Sequence, residues 1–234
     1  MERNSSIASG LISGLICGVV TGTIITFARI PPFVVTLGMM SMIQGISLGI
    51  ADGATVSGLS EKVCNFFTNS TGLIPTPVLL AIIFIIIGDR LLRFQKFGVH
   101  VFAIGGNEDA AKFSGVTVNR VKLNVYMLAG TLAGVAGIIL MCRLNCGHPT
   151  VGIGYEFDAI ASVVVGGTPL EGGHGSIFKT VIGVLIIGVI KNGLTLLGFP
   201  LYWQLAITGV VIILTIISAS NFHKRKDESI VTVA

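Results

Sequence analysis

Apolar residues along this chain come in long unbroken runs rather than the short alternations of a water-soluble fold. The first run, Ile7 to Ala28, contains nothing more polar than serine, threonine and cysteine. At ~1.5 Å per residue it is long enough for a ~30 Å hydrocarbon layer. Arg29 and the Pro31-Pro32 pair break it and open a second run that ends near Ala51. Asp52 to Pro77 reads as a polar loop, closed by Pro75 and Pro77, and a third span is predicted from about Thr76 to Leu92. Arg93 to Lys122 is the most hydrophilic interior stretch, and a fourth span, Leu123 to Cys142, follows it. Phe157 to Gly167 is apolar but covers only about eleven residues, roughly 16 Å as a helix, too short to cross alone. Gly166-Gly167-Thr168-Pro169-Leu170-Glu171-Gly172-Gly173-His174-Gly175 cannot face lipid, where its backbone groups would lack partners. Ser176 is placed to cap a helix from Ile177 to Leu197. Pro200 then starts a last span, Leu201 to Ser218, ahead of His223-Lys224-Arg225-Lys226. The pattern predicts an all-α polytopic transmembrane bundle with one short or re-entrant helix, forming a single membrane domain over residues 1–234.

Glycines are placed within these runs with a period. Gly10, Gly14, Gly18 and Gly22 recur at every fourth position and share one helix face. Such overlapping GxxxG pairs form a flat strip that lets another helix approach closely. Gly45, Gly49 and Gly53 repeat the spacing near the end of the second span, and the fourth holds Gly130, Gly134 and Gly137.

Composition supports the membrane reading. Of the 234 residues 52% are hydrophobic and 11% charged, and the mean hydropathy is +0.90, whereas soluble domains carry about 25% charged residues. The formal net charge of +4 does not point to nucleic acid, because its basic residues are scattered between apolar runs and form no stripe. They orient the protein instead. With the tail and the Arg93–Lys122 segment on the cytoplasmic side, Arg29, Arg90, Arg93, Lys96, Lys112, Arg120, Lys122, Lys224, Arg225 and Lys226 lie inside. Arg3, Lys62 and Arg143 lie outside, a bias that follows the positive-inside rule. This puts the N-terminus outside and the return of the chain to the inside within Phe157–Gly175, and it predicts further spans ahead of Met1. No small-residue cleavage site follows Met1-Glu2-Arg3, so the first run reads as a retained span.

The four cysteines do not make a disulfide scaffold in a chain of this length. Cys17 reads as packing. Cys142 and Cys146 lack the second cysteine or histidine pair of a zinc site, so no metal or cofactor is expected. Cys64 and Cys146 are a possible pair in an oxidising compartment. ATP hydrolysis is not expected from this chain: Lys179-Thr180 follows Phe178, without the phosphate-cradling glycine of GxxxxGK[ST]. The four histidines fall in loops and tails and assemble no catalytic set.

The sharpest local pattern is Ile104-Gly105-Gly106-Asn107-Glu108-Asp109-Ala110-Ala111-Lys112-Phe113-Ser114-Gly115. Asn107 is a good N-cap, and Glu108 and Asp109 occupy the first turn, where the helix dipole favours negative charge. Ala110 and Ala111 favour helix, and Gly115 stands where a left-handed residue stops one. The result is a helix of about two turns between membrane spans, marginal in water by itself. Docking on the cytoplasmic face would give it a reason to form; a capped surface helix without a partner is the other reading.

Residues Ala103 to Gly115, followed by Val118-Asn119-Arg120-Val121-Lys122, closely resemble the cytoplasmic coupling segment of ribose-type ABC importer permeases. So do Pro31 to Gly38, Gly154 to Ala161, Val165 to Ser176, Asn192 to Gly198 and Tyr202-Trp203-Gln204, in the family's order from Ile7 to about Ile217. The resemblance implies a bacterial inner-membrane permease subunit without an ATPase of its own. It would work as a pair of copies, beneath a periplasmic sugar-binding protein and above a cytoplasmic ABC ATPase, and would carry a monosaccharide. Asn107, Glu108, Asp109, Ala110, Ala111, Lys112, Phe113 and Gly115 would be the ATPase-coupling helix, within a coupling segment of about 94–122. Members of that family are longer by roughly two N-terminal spans. Two charges depart from its pattern. Asp89, beside Arg90 and Arg93, is placed at headgroup level. Lys191 lies inside a span, where an ionisable group suggests a pore or an interface unless it snorkels or pairs. The translocation-path candidates are Tyr155, Asp158, Gly166, Gly167, Thr168, Lys191 and Asn192. The Gly166–Ser176 segment reads either as cavity lining or as a tight turn between helices. An ion-coupled secondary transporter also uses Gly-interrupted spans, but it requires carboxylate relays, which the span interiors are expected to lack. A truncated, non-transporting remnant is the remaining alternative.

Overall fold

The computed structural model describes residues 2–28, 30–56, 61–68, 70, 71, 74–170, 172–200, 202–211 and 213. It is helical, as the hydropathy pattern requires. α1 (Glu2–Ala28), α2 (Pro32–Ala51), α7 (Val118–Leu144) and α9 (Ile177–Leu196) are each long and apolar enough to cross a bilayer. α4 (Thr76–Phe94) is helical where the third span is expected, but with Asp89, Arg90 and Arg93 in its last turns it is not among those four. Asp89 pairs with Arg93 one turn on at 2.7 Å, and Arg90 lies over the Phe94 ring, so the charges at this helix end satisfy one another. α8 (Tyr155–Val165) is the short helix, 11 residues long. Residues 202–211 are helical; the rest of the expected last span and the basic tail fall outside the described residues.

Two compact units can be distinguished, one of residues 1–86 and 112–151, the other of residues 87–111 and 152–234. In the first, α1 and α7 run antiparallel in close contact. A Cβ at Gly134 would stand 2.6 Å from the Gly10 carbonyl oxygen, and one at Gly10 would stand 2.9 Å from Ile138 Cδ1. Cβ atoms at Gly14 and Gly18 would overlap the backbone carbonyls of Gly130 and Tyr126. The fourfold glycine period therefore brings two backbones together, and helix packing in lipid depends on such contact. Hydroxyls within these helices turn back on their own carbonyls, Thr21 to Cys17 at 2.7 Å and Thr131 to Met127 at 2.8 Å, which satisfies those donors within the helix.

Other expectations are corrected. Gly45 and Gly49 meet nothing within 4 Å among the described residues, so this second glycine series makes no close helix contact there. The Asp52–Pro77 connection is not all loop. It holds α3 (Glu61–Thr68) and a two-residue antiparallel ladder of β1 (Ser70–Thr71) with β2 (Ile74–Pro75). On α3, Val63, Cys64 and Phe67 are buried; this i, i+1, i+4 stripe meets Cys142 of α7, with Ile7, Leu80, Ile138 and Ile139 around it. The thiol beside Cys64 is thus Cys142, not Cys146. The hydrophilic Arg93–Lys122 stretch contains α5 (Lys96–Gly106) as well as α6 (Glu108–Phe113).

Large apolar side chains stay exposed on the long helices, such as Ile50 at 83% and Val189 at 71%. α4 has no buried residue. Such surfaces require lipid or a partner against them.

Candidate functional site

The Asn107–Gly115 segment folds as its local chemistry dictates. The Asn107 side-chain oxygen accepts the Ala110 backbone N–H at 2.9 Å, an N-cap bond. Glu108 and Asp109 lie in the first turn of α6 and Lys112 in the last, each at the helix end its charge favours. Gly115 has a φ of 85°, as a left-handed terminator needs. Its N–H donates to the Lys112 carbonyl at 3.0 Å. One face of α6 is anchored through buried Ala111, while Glu108, Asp109, Ala110 and Lys112 are exposed. Phe113 is 91% exposed, a bare aromatic ring on a helix whose polar residues place it in water.

In the second unit, α8 and α9 pack antiparallel. Small residues again set the contact: a Cβ at Gly166 would stand 2.6 Å from the Lys179 carbonyl oxygen, and one at Gly183 would overlap the Ser162 carbonyl. At the other end of this helix pair, Lys191 Nζ meets Asp158 Oδ2 at 2.5 Å, with side chains 24% and 21% exposed. Asp158 Oδ1 is buried without a hydrogen-bond partner among the described residues. Sequence reasoning singled out both charges but did not join them, because they are 33 residues apart. Breaking one side of a buried pair strands the other charge, which costs about 3–5 kcal/mol; the residual exposure here argues for the lower end. Lys191→Met alone is expected to destabilise the purified protein on the order of 3 kcal/mol. Asp158→Leu combined with Lys191→Met recovers most of that loss. Thermal unfolding of the three proteins in detergent checks this, and equal loss in single and double variants would refute the pairing argument.

The remaining path candidates are split between the two ends of this helix pair, Tyr155 and Asn192 beside the Asp158–Lys191 contact. Tyr155 and Asn192 are exposed. Gly166, Gly167 and Thr168 lie at the far end of α8, level with Lys179 and Thr180, which is ~18 Å from Lys191 along α9. The segment after them closes on itself: a Cβ at Gly175 would stand 3.0 Å from Thr168 Oγ1. Its tip meets α5, where a Cβ at Gly105 would be 2.5 Å from the Gly173 N and one at Gly173 would be 3.1 Å from Gly106 Cα. Ser176 occupies the N-cap position of α9 without a side-chain capping bond. Its hydroxyl instead accepts from Arg93 Nη2 at 3.4 Å. The glycine-rich segment is therefore a tight connection seated against Gly105 and Gly106, the two residues before Asn107. This contact was not legible in the sequence, since both partners are glycines without a pairing signature. Among the described residues no cluster of His, Cys, Asp or Glu suits a metal ion.

Residues 5–216 match the family model described as "Branched-chain amino acid transport system / permease component". The chain belongs to this permease-component family. It is 44% identical over 196 residues to the ribose import permease of Bacillus subtilis, covering 83% of this chain and 61% of the relative. Against the ribose import permease of Escherichia coli it is 41% identical over 216 residues, covering 91% of this chain and 67% of that one. It is also 40% identical over 190 residues to the D-allose transport system permease of Escherichia coli, 81% of this chain and 58% of the relative. The chain thus spans about three-fifths to two-thirds of the length of these curated relatives. No solved structure matches it. Family membership and the apolar helices make the chain a multi-pass protein of the bacterial inner (plasma) membrane.

Proposed function

We propose that this permease-family chain is the transmembrane subunit of an ATP-binding cassette importer for a monosaccharide of the ribose or allose type, with residues 1–234 acting as one membrane domain. The relatives' printed substrates, ribose and D-allose, support the cargo class. Energy would come from a separate cytoplasmic ABC ATPase, cargo from a periplasmic sugar-binding protein, and the pathway from two copies of the permease.

The observation that carries this reading is α6, a helix capped at both ends that presents Phe113 almost fully exposed. An exposed aromatic residue on a short charged helix suits insertion into a groove, where ring burial gives binding energy and the charges fix register. Closure of the ATPase pair would then displace Asn107–Gly115. The push would travel along α5, and through the Gly105–Gly173 backbone contact into the connection between α8 and α9. Such a subunit alternates between outward- and inward-open packings whose balance the partners shift. The Asp158–Lys191 pair would hold α8 against α9 through that change. An ion-coupled transporter would instead use Asp158 as a relay, and its partner Lys191 already neutralises it.

A photo-cross-linking phenylalanine analogue at position 113, in native membranes, tests the docking. The expected product joins this chain to the ABC ATPase; products with extracytoplasmic proteins alone would sink the reading.

A further inference from the structure

Cys64 and Cys142 are both buried, at 6% and 4% exposure. Both thiols are free, and the two side chains pack in one buried cluster with Val63 and Phe67. They come from segments far apart in sequence, α3 in the α2–α4 connection and the last turns of α7, and together they form the apolar contact between those elements. The same end of this unit carries a second link between the two segments. Val56 and Gly147 exchange backbone hydrogen bonds, N to O, at 2.8 and 2.9 Å. Because α1 and α7 are antiparallel, that end also holds the start of α1. The distribution of Lys and Arg puts it on the extracytoplasmic side, where thiols meet oxidants rather than a reducing pool.

We propose that Cys64 and Cys142 are a thiol–disulfide site that, once oxidised, staples α3 to the outer end of α7. The oxidant is a disulfide-bearing thiol oxidoreductase or small-molecule disulfide of the extracytoplasmic side. One cysteine thiolate attacks the oxidant disulfide, forming a mixed disulfide and releasing one oxidant thiolate. The second cysteine thiolate then attacks the first cysteine sulfur and releases the other. The chain loses two protons and two electrons, and the oxidant disulfide becomes two thiols. The reaction belongs to the folding chain, before α3 closes over Cys142, since both sulfurs are covered afterwards. Cys17 and Cys146 take no part. Neither the motor nor the cargo enters this inference; it rests on orientation and contact alone.

The full chain, acid-trapped in native membranes and denatured, is reacted with a maleimide-polyethylene glycol. In a Cys17→Ser, Cys146→Ser background no thiol is expected to react before reduction and two after it. Adding Cys64→Ser should expose one reactive thiol without reduction. Peptide mapping of the unsubstituted protein under non-reducing conditions guards against misfolded variants, and is expected to show a Cys64–Cys142 linked peptide. Two thiols reacting without reduction in the background variant, with no linked peptide in the unsubstituted chain, overturns the proposal. So does a linked peptide joining either cysteine to Cys146.

Discussion

Replacing Glu108, Asp109 and Ala110 together by glycine is expected to abolish sugar uptake and its coupling to ATP hydrolysis, while the chain still inserts in the membrane. Each glycine costs a helix interior about 1 kcal/mol relative to a good helix former, so three cost roughly 3 kcal/mol. A helix of 6 residues has no reserve to absorb that, because isolated short helices are already marginal. The change also removes both negative charges from the first turn, a further loss of about 0.3–1 kcal/mol each. A total of roughly 4–5 kcal/mol lowers the folded population of the segment by a factor on the order of 1,000. No membrane span is touched, since α5 ends at Gly106 and α7 starts at Val118. Uptake into vesicles containing the ATPase and binding protein, and membrane yield of the variant, are the two measurements. Retained uptake would count against α6 as the coupling element. A fall in membrane yield to match the lost uptake would show a folding role instead.

What the sequence disclosed and what it hid divide by range. The ends of α6 were legible because capping is local: Asn107 bonds three residues on, and Gly115 takes its positive φ alone. The glycine face of α1 was legible because a period of four on a helix is a geometric statement about one face. The same logic failed for Gly45 and Gly49, since a strip shows readiness for close approach without showing that a partner exists in the chain. α3 reads as loop in the sequence because its buried stripe, Val63, Cys64 and Phe67, is embedded in eight residues that include Glu61, Lys62, Asn65 and Thr68. It becomes a helix by covering Cys142, a tertiary cause outside any local window. The Asp158–Lys191 pair and the Gly105–Gly173 contact are of the same kind. Their members were visible individually, and only the antiparallel course of α8 and α9, or the fold-back of the glycine-rich connection, brings them together.

Gly134→Leu is expected to prevent formation of the α1–α7 contact, whereas Gly137→Leu, one turn further along the same helix, is expected to be tolerated. The two substitutions add the same side chain at the same intrinsic helix preference, so their difference isolates packing. At Gly134 the new Cβ would meet the Gly10 carbonyl oxygen at 2.6 Å, and nothing lies within 4 Å of one at Gly137. The obstacle at Gly134 is backbone, so no rotamer change relieves it; α1 and α7 must separate or shift along their length. Overpacking of this sort costs about 1–3 kcal/mol in soluble cores that can adjust, and more is expected where the blocking atom is a carbonyl of a hydrogen-bonded helix. In lipid, separation is also harder to offset, because hydrocarbon wets leucine as readily as a neighbouring helix does and supplies no force to re-close the gap. Fluorescence-detected size exclusion in detergent should show a loss of the monodisperse peak for Gly134→Leu and its retention for Gly137→Leu. Equal behaviour of the two would mean that the strip is incidental. Helix movement during transport would then need another surface on which to slide.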